Sequence, residues 1–134
     1  MKENTPKQKT AAILPIGNEI LSGKTLDSNS NWIAQKLGHH GIRLREIRVV
    51  PDDKNAIIDA LNSLRQKMDY VFTTGGIGPT HDDITADAVA DAFGLKLVRD
   101  VKAYQILKDY YGEGGLNPGR EKMALIPEGA QLIN

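Results

Sequence analysis

Short apolar runs alternate along the chain with longer segments in which apolar residues recur every three or four positions. Uninterrupted short runs are typical of strands that are buried on both faces, because neither face then needs polar side chains. In the longest run the apolar alternation changes phase between Leu44 and Ile47, which predicts a β-bulge at this point. The predicted strands cover residues 11–16, 42–50 and 70–74.

The segments with helical spacing begin near residues that can cap a helix. Ser, Thr and Asp side chains accept hydrogen bonds from the first free amides of a helix, and glycine commonly follows its last turn. The segment between Gly17 and Asp27 shows neither pattern and is predicted as a polar loop. The first predicted helix starts at Asp27 or Ser28 and ends at Gly38, and the second starts after Asp52 and Asp53. The third starts at Asp83 or Thr85 and ends at Gly94, and the fourth runs from Val101 to Tyr111. A short helical piece is predicted over 120–125.

Strands and helices in this alternation predict an α/β domain, a three-layer α/β/α arrangement with a mostly parallel sheet. Open parallel sheets bind ligands at the carboxyl ends of their strands, so the loops after Ile16, Val50 and Thr74 are the candidate ligand loops. These loops are also the richest in Gly, Asp, Ser and Thr. Residues 1–9 are polar and are predicted as a disordered lead-in to a domain over 10–134.

Composition and charge exclude several classes of protein. The 134 residues contain no cysteine, which excludes a disulfide framework and a thiolate nucleophile and is typical of a cytoplasmic protein. The 17 Lys and Arg residues balance 17 Asp and Glu residues, which argues against nucleic acid as a partner. No apolar run approaches the roughly 20 residues that a membrane span requires.

The strongest candidate site is the segment 73–85, Thr-Thr-Gly-Gly-Ile-Gly-Pro-Thr-His-Asp-Asp-Ile-Thr. Glycines directly after a strand allow backbone amides to approach phosphate oxygens, and the N-terminus of the next helix adds a favourable dipole. A tight strand-to-helix turn explains the same glycines without a ligand, and this alternative stays open here. The candidate binding residues of this segment are Thr74, Gly75, Gly76, Gly78, Thr80, Asp82 and Thr85.

Paired carboxylates follow two of the predicted strands. Asp82 and Asp83 open a stretch of ten residues with four Asp and no Lys or Arg, and Asp52 and Asp53 repeat the pair after the second strand. Helix capping accounts for one member of each pair. Two acids beside a bound phosphate indicate either Mg²⁺ between them or a hydrogen bond from an amino-bearing ring.

The loop after the first strand, Gly17-Asn-Glu-Ile-Leu-Ser-Gly-Lys-Thr, is similar to a phosphate-binding P-loop. A P-loop has four residues between its first Gly and Gly-Lys-Thr, whereas this loop has five, so a P-loop is rejected. Gly17, Glu19, Ser22 and Gly23 stay candidates for contact with a ligand. The three histidines form no cluster with metal-ligand spacing.

Taken in order, the segments 17–23, 49–53 and 75–85 resemble the molybdopterin-binding (MoaB/Mog) domain family. The segment 117–130 is similar to its CinA-like branch, the bacterial proteins related to the N-terminal domain of competence/damage-inducible protein A. The resemblance runs from Ala11 to Asn134. It implies a homo-oligomer, trimer or dimer, that binds a small phosphorylated pterin, molybdopterin or its adenylylated form, in molybdenum cofactor metabolism.

The resemblance also implies roles for individual residues. Asp52 and Asp83 match the two aspartates of the molybdopterin-adenylylating members, and the three loop glycines match the segment that binds the pterin phosphate. Ile77 stands where Mog proteins have threonine, as in CinA-like proteins, for which the implied activity is Mg²⁺-dependent cleavage of ADP-ribose and related nucleotides. A nucleotide pyrophosphatase and a non-catalytic binding or assembly module therefore stay open. Because family members continue with another strand and helix, a C-terminally truncated domain is expected.

Overall fold

A parallel sheet of three strands forms the centre of the computed structural model, which describes residues 7–133. The strand β1 (Thr10–Pro15) lies between β2 (Arg43–Ile47) and β3 (Tyr70–Thr74). All of β1 after its first residue is buried, as expected of a strand that is covered on both faces. The expected parallel pairing is therefore confirmed for the three predicted strands.

The predicted β-bulge is confirmed in β2. Ala11 pairs with Leu44, whereas the next residue of β1, Ala12, pairs with Glu46, so that Arg45 is the extra residue. An inserted residue shifts every later side chain to the other face of a strand. This shift explains the change of phase in the apolar alternation.

Helices on the faces of this sheet confirm the three-layer α/β/α fold. The helix α2 (Ser28–His39) packs on β2, while α3 (Lys54–Lys67) packs on β1 and β3 and against α4 (Thr85–Ala92). Alternate residues of β1 point toward α3. The core on this side contains Ala12, Leu14, Ile16, Val50, Ile57, Ala60, Leu61, Leu64 and Ala88.

Two of the predicted helix caps are confirmed. The side chain of Asp27 accepts from the amide of Ser30 at 3.1 Å, and that of Asp53 accepts from the amide of Ala56 at 2.9 Å. The helix α2 continues to His39 and does not end at the predicted Gly38, because the left-handed residue that allows the chain to turn lies further on, at Gly41 with φ of 70°. Gly94 follows α4 with φ of 66°, as predicted.

Two segments differ from the prediction. The predicted polar loop after β1 contains a short helix, α1 (Asn18–Leu21). Further along, the chain contains an antiparallel pair of strands that was not predicted. Between these strands lie the predicted helix α5 (Val101–Tyr111) and the short helix α6 (Pro118–Lys122). The helix α6 begins and ends earlier than the predicted helical piece over 120–125. These strands are β4 (Leu97–Arg99) and β5 (Leu125–Pro127); we call the whole of 97–127 the hairpin segment.

Most of the predicted lead-in, residues 1–6, lies outside the described residues. Immediately before β1, the carbonyl of Lys9 accepts from the amide of Arg43 at 2.9 Å, and the side chain of Gln8 donates to the carbonyl of Gly41 at 3.0 Å. None of the described helices has the length and hydropathy that crossing a membrane would require.

Candidate ligand-binding site

The loops after β1 and β2 are joined at the carboxyl edge of the sheet. The amide of Gly17 donates to the carbonyl of Val50 at 3.0 Å. Beside this bond, the amide of Asn18 donates to Oδ2 of Asp52 at 3.2 Å, and the amide of Asp52 donates to Oδ1 of Asn18 at 3.1 Å. The predicted site residue Asp52 therefore holds the first loop in place through Asn18, which is not among the residues predicted for the site.

The glycine loop, residues 75–78, packs closely on the rest of the chain. A Cβ atom at Gly75 would lie 2.1 Å from the carbonyl oxygen of Ile16, and one at Gly76 would lie 2.2 Å from the hydroxyl of Thr85. Both glycines have positive φ, 85° and 67°, which favours glycine at each position. Contacts within the protein thus explain these two glycines without a ligand.

Thr85 lies beneath the glycine loop and holds it in position. Its side chain is buried, its hydroxyl donates to the carbonyl of Gly75 at 2.8 Å, and its amide donates to the carbonyl of Gly76 at 3.1 Å. The helix α4 starts after Ile84 without a side-chain cap, so the prediction that Asp83 or Thr85 caps it is wrong. Both side chains instead hold the loop that precedes the helix.

Asp83 closes the turn that follows the glycine loop. The amide and the hydroxyl of Thr80 donate to Oδ2 of Asp83 at 2.9 and 2.8 Å, and the amide of Gly78 donates to the same carboxylate. Burial raises the pKa of Asp83, but these hydrogen bonds, with a smaller contribution from the Lys122 ammonium, outweigh it and keep the pKa below its usual value. Asp83 is therefore ionised at neutral pH.

The other acidic residues near this turn have different partners. Asp82 is 73% exposed at its side chain and lies 3.2 Å from Nε2 of His81. Asp87 and Asp91 are both half-exposed, and both accept from Nζ of Lys54, at 2.8 and 2.6 Å. These two bonds, that of Asp87 first, raise the pKa of Lys54 to about 12. Lys54 thus offsets one of the four negative charges of this region.

Of the candidates of the first loop, Gly17 is buried, whereas Glu19, Ser22 and Gly23 are exposed. The carboxylate of Glu19 lies over Gly17, where a Cβ atom would be 2.4 Å from Oε1. The hydroxyl of Ser22 donates to the carbonyl of Glu19 at 3.3 Å, at the end of α1. Gly23 has φ of 80° and no neighbouring atoms within 4 Å of a Cβ position.

A cavity of about 190 Å³ lies between the glycine loop and the hairpin segment. Its charged lining residues are Asp83, Asp87 and Lys122, and its apolar lining residues are Ile77, Ala86, Leu97, Met123, Leu125 and Ile126. Lys122 donates to the carbonyl of Thr80, which is 42 positions away in sequence. The segment whose strands were not predicted therefore contributes one wall of the site.

The described residues offer no preformed site for a metal ion. Among residues 7–133 there is no group of three or more His, Asp or Glu side chains placed to hold one. Asp52 and Asp83 are each engaged by a different part of the chain, Asn18 and Thr80. Because Mg²⁺ is often bound by one or two carboxylates together with substrate phosphates, it would need oxygens from the ligand here.

Comparison with known proteins gives the family. A family model described as "Probable molybdopterin binding domain" matches residues 12–131. The chain belongs to this molybdopterin-binding domain family. The family that the motifs resemble is thereby confirmed, and its fold is the three-layer arrangement described above.

Relatives of this molybdopterin-binding domain include larger proteins. Protein TK1472 of Thermococcus kodakarensis is 44% identical over 92% of this chain and 53% of its own length. A CinA-like protein of Syntrophus aciditrophicus is 42% identical over 90% of this chain and 29% of its own length. The chain thus spans about half or less of these relatives.

Solved structures show the same relationship. CinA from Thermoplasma acidophilum, a protein of unknown function, has a TM-score of 0.89 and 38% identity over 95% of this chain and 75% of that chain. The tungsten cofactor synthesizing protein MoaB from Pyrococcus furiosus has a TM-score of 0.60 and 23% identity over 79% of this chain and 64% of that chain. The similarity to MoaB supports the fold, and that to CinA agrees with the predicted CinA-like branch.

Proposed function

We propose that the domain binds a phosphorylated pterin, molybdopterin or its adenylylated form, at the glycine loop and the adjoining cavity. Family membership supports a ligand related to the molybdenum cofactor. The single observation that carries the proposal is that, in the described part of the chain, two backbone amides of the glycine loop lack a hydrogen-bond acceptor. Within residues 7–133, no acceptor is found for the amides of Gly76 and Ile77, although both residues line the cavity. Adjacent free amides of this kind bind phosphate oxygens.

The cavity also suits the ring of a pterin. Its apolar lining can pack against the faces of a flat ring, as in most small-molecule sites. The carboxylates of Asp83 and Asp87 can accept hydrogen bonds from the amino group and ring N–H of a pterin. In this proposal Asp83 contacts the ligand, Asp52 positions the first loop through Asn18, and Thr74, Thr80 and Asp82 lie close to the phosphate end.

Three parts of the sequence-based expectation stay predictions. They are a catalytic role for Asp52 and Asp83, a contribution from Mg²⁺, and a cytoplasmic homo-oligomer. A nucleotide pyrophosphatase activity requires both catalytic aspartates and Mg²⁺. No feature of the described residues favours this activity over pterin binding.

Isothermal titration calorimetry separates the candidate functions. The domain is titrated with molybdopterin, ADP-ribose and ATP, each with and without Mg²⁺. We expect saturable binding of molybdopterin in both conditions. Turnover of ADP-ribose only with Mg²⁺ would instead indicate a pyrophosphatase, and no saturable binding to any ligand would indicate a non-catalytic assembly module.

Replacing Asp83 by asparagine is expected to weaken molybdopterin binding by about tenfold to a hundredfold. In this proposal the charged carboxylate of Asp83 accepts hydrogen bonds from the pterin ring, and hydrogen bonds to charged groups contribute about 1.5–3 kcal/mol. Asp59→Asn is the matched control, because Asp59 is exposed on α3. An affinity of D83N equal to that of D59N and the unaltered protein would remove Asp83 from the site.

A further inference from the structure

Lys122 introduces a positive charge at the cavity beside the glycine loop. Among the described residues that line this cavity, it is the only cation, and it comes from α6 of the hairpin segment. Neither the motifs of the first loop nor those of the glycine loop include it.

The ammonium group of Lys122 has unused donors. A lysine ammonium carries three N–H donors, and one of them is directed to the carbonyl of Thr80. Within residues 7–133, no carboxylate lies within ion-pair distance of its Nζ atom. Lys54 is different, because its ammonium binds two aspartates of α4. The ammonium of Lys122, which acts on Asp83 through its charge but forms no ion pair within residues 7–133, therefore keeps donors for an anion.

The packing of α6 keeps Lys122 beside the loop. Asn117 caps the helix by accepting from the amide of Arg120 at 2.9 Å, and a Cβ atom at Gly119 would lie 2.7 Å from the carbonyl oxygen of Pro79. The side chain of Arg120 donates to the carbonyl of Gly115, in the loop between α5 and α6, at 2.6 Å. The bonds of Asn117 and Arg120 fix α6 within its own segment, and the close approach of Gly119 to Pro79 places the helix against the turn that follows the glycine loop.

The charged residues that line the cavity are two aspartates and Lys122, so the binding of an anionic phosphate there depends on Lys122. A phosphate ester carries a charge of about −1.5 to −2 at neutral pH, and Asp83 and Asp87 at the same cavity would repel it. Lys54 offsets Asp87 only in part, because it also pairs with Asp91, and hydrogen bonds from Thr80 and Gly78 stabilise the charge of Asp83 without neutralising it. A phosphate at the loop therefore needs a cation, and among the described residues that line the cavity Lys122 supplies it.

We propose that Lys122 binds the phosphate group of the ligand together with the amides of Gly76 and Ile77. The identity of the ligand rests on the proposed function, but the anion site does not. Inorganic pyrophosphate is therefore a suitable probe, because it tests the anion site without the pterin.

The experiment is a titration of inorganic pyrophosphate followed by ³¹P NMR. We compare the unaltered domain with Lys122→Met, which keeps the apolar stem, and Lys122→Arg, which keeps the charge. Lys96→Met, an exposed residue of the chain just before β4, is the control. We expect K122M to bind about tenfold to a hundredfold more weakly and to lose much of the salt dependence, whereas K122R and K96M stay within about threefold of the unaltered domain.

Three results would overturn the assignment: no pyrophosphate binding by the unaltered domain, equal binding by K122M, or equal weakening in K122M and K122R. The last result would mean that Lys122 only packs against the loop. Molybdopterin titration tests the proposed function separately. Pyrophosphate binding that depends on Lys122, combined with no binding of molybdopterin, would refute the pterin and keep the anion site.

Discussion

Gly75→Ala is expected to lower the free energy of unfolding by about 2–5 kcal/mol. A side chain at positive φ costs about 1–2 kcal/mol, and forcing extra volume into a packed site costs a further 1–3 kcal/mol or so. The added methyl would lie 2.1 Å from the carbonyl oxygen of Ile16, which directly follows the buried central strand. A backbone atom in this position cannot rotate away, so the sheet or the loop must move.

Gly23→Ala is the matched control for this prediction. Gly23 has φ of 80°, close to the 85° of Gly75, but no atom lies within 4 Å of its Cβ position. We expect it to lose only about 1–2 kcal/mol, the conformational part of the cost. Urea unfolding followed by circular dichroism measures both variants. Equal losses would show that the close approach of the glycine loop to Ile16 is absent.

Thr85→Val is expected to cost about 1–3 kcal/mol, because it removes a buried donor and leaves the carbonyl of Gly75 without that partner. Valine has nearly the shape of threonine, so the change tests the hydrogen bond and not the packing. Thr85→Ser keeps the hydroxyl and is expected to be more stable than T85V. Thr73→Val, at an exposed position of β3, is the control for the effect of replacing a threonine by valine. Urea unfolding with T85V as stable as T73V would contradict a role for the hydroxyl in holding the loop.

The parallel core of the fold was predictable because each element has a local signal. The buried residues of β1 form an uninterrupted apolar run, and the buried face of α3 repeats at helical spacing. The strands β4 and β5 have three residues each, too few for an alternation to be recognised. Their pairing joins Leu97 to Pro127 across the whole hairpin segment, and such a long-range contact has no local signal.

The candidate site was predictable only where chemistry follows directly in sequence. The three loops were identified from their glycines and acids at strand ends. The role of Asp83 was not predictable, because a carboxylate before a helix can either cap the helix or close the preceding turn. Here Asp83 closes the turn by accepting from Thr80, and α4 has no side-chain cap. Asn18 and Lys122 were missed because their partners, Asp52 and Thr80, lie 34 and 42 positions away.

The most direct test of ligand binding at the glycine loop is a ¹⁵N–¹H correlation spectrum of the domain during titration with molybdopterin. Hydrogen bonds from free amides to phosphate shift the resonances of those amides strongly. We expect the largest shifts at Gly76 and Ile77, with smaller ones along the cavity wall from Met123 to Ile126. Shifts confined to residues away from the loop, such as those of α2, would contradict the proposal.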